Sequence, residues 1–193
     1  MTTGRLEAFS DGVIAILITI MVLELKVPEG HTFRALKPLG PTITSYVLSF
    51  IFLGIYWNNH HHVFQVTKRV NGAILWANLH LLFWLSLVPF VTIWMGENHR
   101  EALPTALYGF VLNMAGLAYF TMSRIIIRFE GPNSPLALAV GRDRKGVASL
   151  VVYTAAIGAA FIEPWISQGL FVVVAVMWFV PDRRIEGVSA VAR

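Results

Sequence analysis

Long apolar blocks separated by short polar gaps constrain this chain more than any motif does. A helix crossing about 30 Å of hydrocarbon needs about 20 predominantly apolar residues. Block after block of this sequence is that long. Only 13% of the 193 residues are charged, against about 25% in a soluble domain. Apolar residues make up 56%, and 13 Phe, 6 Trp and 5 Tyr are available for packing and for interfacial anchoring. Little chain remains for a soluble unit, so an all-α integral membrane protein is expected.

The breakers set the spans. The first block, about residues 7–25, ends before Pro28-Glu29-Gly30. The second, about 42–65, follows Pro38 and the Gly40-Pro41 pair. The third, about 72–94, follows the turn Thr67-Lys68-Arg69, and the fourth, about 104–127, opens on Pro104, a position where proline is tolerated. Gly146 to Val180 is about 35 residues, too long for one span at 1.5 Å per residue. Glu163-Pro164 lies near its middle, and the residue before a proline disfavours helix. Two short helices, about 146–162 and 165–180, are therefore expected. The total is six spans per subunit, in one domain covering 1–193. The first block carries Arg5, Glu7 and Asp11 at its start and lacks a small-residue cleavage site, so it reads as a retained helix.

Basic residues orient the spans. Arg5, Lys68, Arg69, Arg124, Arg128, Arg142, Arg144, Lys145, Arg183, Arg184 and Arg193 fall on one side; Lys26, Arg34, Lys37 and Arg100 fall on the other. By the positive-inside rule both termini are cytoplasmic, in a multi-pass cell-membrane protein. The same placement explains the formal charge of +4 without nucleic acid. There is no cysteine, which excludes disulfides, thiolate chemistry and a Cys-based zinc site. There is no phosphate-binding glycine loop and no nucleophile constellation, so neither an enzyme nor a cofactor is expected. His60-His61-His62 splay over about 200° on a helix and lack the spacing of helical metal ligands.

The first block carries the informative chemistry. At about 100° per residue, Phe9, Gly12, Ile16, Ile20 and Leu23 form one stripe, with Thr19 on its edge. Asp11 points about 140° away from Ile16, and Ser10 about 120° away on the other flank. An ionisable residue inside a span needs partners and faces protein or a water-filled path. The stripe alone fits ordinary helix packing as well as a pore wall.

Arg5-x-x-x-Phe9-Ser10-Asp11, continued by Gly12-Val13-Ile14-Ala15-Ile16 and Thr19, resembles the signature of the transmembrane protein 175 family of potassium channels. A second block, Trp57-Asn-Asn-His60-His61-His-Val-Phe64, resembles that family's motif on helix 2. Asn78-Leu79 and Pro89 fit its helix 3, so the resemblance covers about residues 5–92. It implies a homotetramer around one potassium-conducting pore, with helix 1 as the wall. Ile16 would then form the narrowest ring, Ile20 and Leu23 further apolar rings toward the outside, and Thr19 a hydroxyl near the constriction. It also implies a structural hydrogen-bond network joining Arg5, Phe9, Ser10 and Asp11 to Trp57, His60, His61 and Asn78. No Thr-Val-Gly-Tyr-Gly loop is present, so a carbonyl filter of that type is excluded; an apolar ring can instead gate by dewetting. The partners implied are other copies of the chain, membrane lipid and permeant potassium ions. The alternative is a proton-coupled transporter using Asp11 and the helix 2 histidines.

Overall fold

The computed structural model describes residues 2–140 and 143–179. These residues form helices α1 (Thr3–Leu23), α2 (Phe33–Leu36), α3 (Gly40–Val66), α4 (Gly72–Ser86), α5 (Val88–Glu97), α6 (Ala102–Glu130), α7 (Pro135–Val140), α8 (Arg144–Ala160) and α9 (Pro164–Phe179). A 3-10 turn, Lys37–Leu39, leads into α3. Arg142, Arg183, Arg184 and Arg193, which the orientation argument uses, and Val180, the expected end of the last span, lie outside the described residues.

Four helical runs are long and apolar enough to cross a membrane: Thr3–Leu23, Phe33–Val66, Gly72–Glu97 and Ala102–Glu130. The helices α8 and α9, at 17 and 16 residues, are shorter than a full span. Their separation at Phe161–Glu163 falls where Glu163-Pro164 was expected to break the run, with Pro164 opening α9.

The third span differs from its expected 72–94. It reaches Glu97 and is broken at Leu87 into α4 and α5. The cause is Pro89, which has no N–H for the carbonyl of Leu85 and crowds it. The fourth span also runs further, to Glu130, and stops at Gly131, whose φ of 99° suits glycine. Glu130 Oε1 accepts from the Lys68 and Arg69 backbone N–H groups at 2.5 and 3.4 Å, tying the turn before α4 to the end of α6. Asn71 caps α4 by accepting from Ile74 N at 2.9 Å, and Asp143 caps α8 by accepting from Gly146 N at 2.8 Å.

The helix α6 is the hub, packing against α4, α5, α8 and α9. Its buried Tyr108, Leu112, Ala115, Met122 and Ile126 meet a core that includes Phe52, Leu81, Leu85 and Phe171. Ser49 joins Thr92 at 2.7 Å and the Tyr108 hydroxyl at 2.9 Å, linking α3, α5 and α6. The first helix stands apart from this hub. It lies against α3 on one side and against α4 and α5 on the other.

Candidate functional site

The two faces of α1 have opposite fates. Leu6, Ser10, Ile14, Leu17 and Met21, spaced three or four residues apart, are buried against the rest of the chain. Phe9 (51%), Ile16 (57%), Ile20 (38%) and Leu23 (80%) are exposed, as are Gly12 and Thr19. The stripe read from the sequence is thus the face that its own subunit leaves uncovered. Thr19 Oγ donates within its own helix, 2.9 Å from the Ile16 carbonyl, so its oxygen lone pairs remain for the exposed side.

Three polar contacts hold the inner half of α1, the half nearest the N-terminus and the Lys68-Arg69 turn. In the first, Asn78 Nδ2 donates to Ser10 Oγ at 3.0 Å, Ser10 donates to the Leu6 carbonyl at 2.9 Å, and His60 Nε2 donates to Asn78 Oδ1 at 2.7 Å. Ser10, His60 and Asn78 are all fully buried. In the second, Trp57 Nε1 donates to Asp11 Oδ1 at 3.0 Å. In the third, His61 Nδ1 donates to Glu7 Oε1 at 2.6 Å while Gln65 Nε2 donates to His61 Nε2 at 2.7 Å. The Trp57 and His61 rings stack with centroids 6.0 Å apart, which places the second and third contacts side by side.

The residues expected to form one network therefore form three groups, and not all of them take part. Arg5 is exposed and has no hydrogen bond or ion pair among the described residues; Phe9, with no polar atom on its side chain, sits on the Ile16 face. His60 and Asn78 serve Ser10, while Asp11 has Trp57. Glu7 and Gln65 were missed. Glu7 sits in the first turns of a helix, where a carboxylate is ordinarily solvated, and the signal that could have found it is its place on the Asp11 side of α1. Among the described residues no three His, Asp or Glu side chains converge as a metal site would require.

A groove of about 520 Å³ runs along the outer half of α1, between Leu17, Ile20 and Glu24 on one wall and Pro89, Phe90, Trp94 and Glu97 on the other. It opens where the break at Leu87 turns α5. Beyond it, Lys26 Nζ meets Glu97 Oε1 at 2.6 Å. That hydrogen bond, and then the Glu97 charge, raise the Lys26 pKa above the usual lysine value.

The sequence profile of a family described as endosomal/lysosomal potassium channel TMEM175 matches residues 5–89. A potassium channel of Chryseobacterium sp. (strain P1-3) is 54% identical, over 96% of this chain and 97% of that protein. A potassium channel of Streptomyces collinus is 36% identical, over 83% and 84%. The solved structure of a lysosomal potassium-selective channel TMEM175 homolog from Chamaesiphon minutus superposes with a TM-score of 0.78 and 26% identity, covering 93% of this chain and 97% of that one.

Proposed function

The chain belongs to the TMEM175 family, a channel family and not an enzyme family, and on that premise we propose that it is a potassium-conducting cation channel gated at an apolar constriction on α1. In this reading α4 and α5 are one kinked span, and α8 and α9 are the fifth and sixth. Residues 1–193 form a single six-span domain in the cell membrane, with both termini cytoplasmic. Four copies close a ring with α1 at its axis, because one α1 per chain cannot enclose a path. The permeant ion is the only small partner required.

The uncovered stripe Phe9, Gly12, Ile16, Ile20 and Leu23 is the observation that carries this reading. Leu17, one position on from Ile16, is buried at 7%, so the two side chains face different surroundings on one helix. Four copies of Ile16 at one level make a collar that excludes water and ions when narrow, and slight widening wets it. Thr19 offers a hydroxyl oxygen one turn further out. The buried groups Ser10, His60 and Asn78, with Asp11 and Trp57, fix the orientation of the helix that carries the collar.

The test is potassium flux and reversal potential in liposomes. Ile16→Asn and Ile16→Ala raise basal flux about tenfold or more and weaken discrimination between potassium and sodium, whereas Leu17→Ala lowers stability and leaves selectivity intact. If Ile16→Asn and Leu17→Ala behave alike, Ile16 is a packing residue. Slow flux tied to proton movement in the unmodified protein supports the transporter reading instead.

A further inference from the structure

The sequence places a histidine, His80, within the third span, and the structure leaves its ring exposed on the outer surface of α4. An ionisable side chain at that depth is not expected against lipid. The indole N–H of Trp84, a group that can only donate, reaches His80 Nε2 at 2.9 Å. That nitrogen is therefore the acceptor, and the ring proton sits on Nδ1. Nδ1–H has no partner among the described residues, so His80 presents one unused donor away from its own subunit.

The opposite flank of α1 carries the complement. Asn58 on α3 is exposed, and Asp11 is half-buried with only one carboxylate oxygen engaged, by Trp57. Depth matches as well. His80 lies eight residues from the start of α4 at Gly72, Asn58 eight from the end of α3 at Val66, and Asp11 eight from the start of α1 at Thr3. At 1.5 Å per residue each is about 12 Å from the inner helix ends. In a cyclic ring the contact is head-to-tail, so the α4 flank of one copy meets the α3 flank of the next.

We propose that His80 is a subunit-interface residue whose Nδ1–H hydrogen-bonds to the Asn58 and Asp11 layer of the neighbouring copy. The occupant of this face is a second copy of the chain, and the inference rests on the ring of copies put forward above. Each contact closes one interface, so a ring of four holds four of them.

The chain contains no cysteine, so introduced pairs report without background. His80→Cys combined with Asn58→Cys in one chain, in native membranes treated with copper phenanthroline or a short bis-methanethiosulfonate, gives a covalent ladder ending at the tetramer. Co-expressed single variants stop at the dimer. Asn58→Cys with Val173→Cys, on the exposed face of α9, gives less than about one-tenth of that product, a yield set by random collision. A second measurement covers poor expression of the pair. His80→Leu raises the concentration at which the detergent-solubilised tetramer half-dissociates about fivefold, the scale of one lost hydrogen bond per interface, and His80→Asn, which keeps an N–H near the Nδ1 position, restores it. A tetramer by mass that conducts potassium but crosslinks no better than the Val173 control overturns the inference and leaves the channel reading standing. A monomer or dimer by mass overturns both.

Discussion

Over its inner half α1 is fastened by directional bonds from side chains on α3 and α4, whereas over its outer half Ile14, Leu17 and Met21 rest on apolar neighbours and a groove of about 520 Å³ opens beside them. Directional bonds fix rotation about the helix axis; apolar contact alone tolerates small rotations and shifts. The inner half thus sets which face α1 turns outward, and the outer half, where Ile20 borders the groove, is the part free to adjust. Ile16, where we propose the constriction, lies between the two.

The largest effect on this contrast comes from Asn78→Leu. It removes the donor to Ser10 and strands the His60 Nε2–H, both in fully buried positions. His60 Nδ1 already lacks a partner among the described residues, so no second bond is at hand. We expect a loss of about 2–4 kcal/mol, at about 1–3 kcal/mol for each stranded group. It is read as the temperature at which the monodisperse peak on size exclusion falls by half. Asn113→Leu, which removes only a part-exposed contact to Thr154, serves as the control. Equal midpoints for the two variants show that the inner bonds do not hold α1.

Gly96→Ala probes the outer half. A Cβ there stands 2.7 Å from Thr42 Cα, a backbone atom that cannot swing aside, where α5 crosses the start of α3. Overpacking of this kind costs about 1–3 kcal/mol. Gly54→Ala, with no atom within 4 Å, is neutral or stabilising because alanine is the better helix former. If Gly96→Ala is tolerated as well as Gly54→Ala, α5 is not closely packed on α3, and the support beside the outer half of α1 is loose as well.

These contrasts divide what the sequence discloses from what it hides. Hydropathy marks the first four spans because length and polarity decide the question, and Pro41, Pro104 and Pro164 mark helix starts through geometry of their own. The 100° period separates the Ile16 face of α1 from the Leu6, Ile14 and Met21 face, but both are apolar, so the period could not say which one the subunit buries. The break at Leu87 is two residues before Pro89, and the sequence did not reveal that α5 would run on to Glu97 past it. The need of Asp11 for a donor is legible; that Trp57 answers it while His60 turns to Asn78 depends on rotamers and on the distance between α3 and α4. The contacts of Glu7 to His61 and of His80 to Trp84 are equally illegible in the sequence, because partners 54 and 4 residues away are set by rotamer and packing.

Asp11→Ala comes next in size. It removes the acceptor of the Trp57 indole, but Trp57 is 44% exposed, so the stranded donor finds other partners. The expected loss is about 1 kcal/mol, seen as lower tetramer yield with the potassium-to-sodium preference unchanged. Asp11→Asn keeps an acceptor for Trp57 and recovers most of the yield. Normal yield with altered ion preference places Asp11 on the conduction path and reverses the geometry argued for the inner half.

The smallest effect belongs to the ion pair at the outer end. Lys26 and Glu97 are 2.6 Å apart, yet their side chains are 74% and 41% exposed. Their attraction is screened by salt and offset by the ordering of two long side chains. Glu97 raises the Lys26 pKa, mainly through the hydrogen bond and then through its charge. Folding therefore favours the protonated lysine. The contribution is complete below the ordinary lysine value of about 10.4 and fades as pH rises through the higher folded value, so neutral pH lies well inside the window where it is full. Even there Glu97→Gln leaves the unfolding midpoint at the wild-type value in physiological salt, and the Lys26→Met, Glu97→Gln cycle shows coupling only when salt is lowered. A Glu97→Gln midpoint as low as that of Asn78→Leu means that charge, and not apolar contact, holds the outer half of α1, and the contrast between the two halves is then lost.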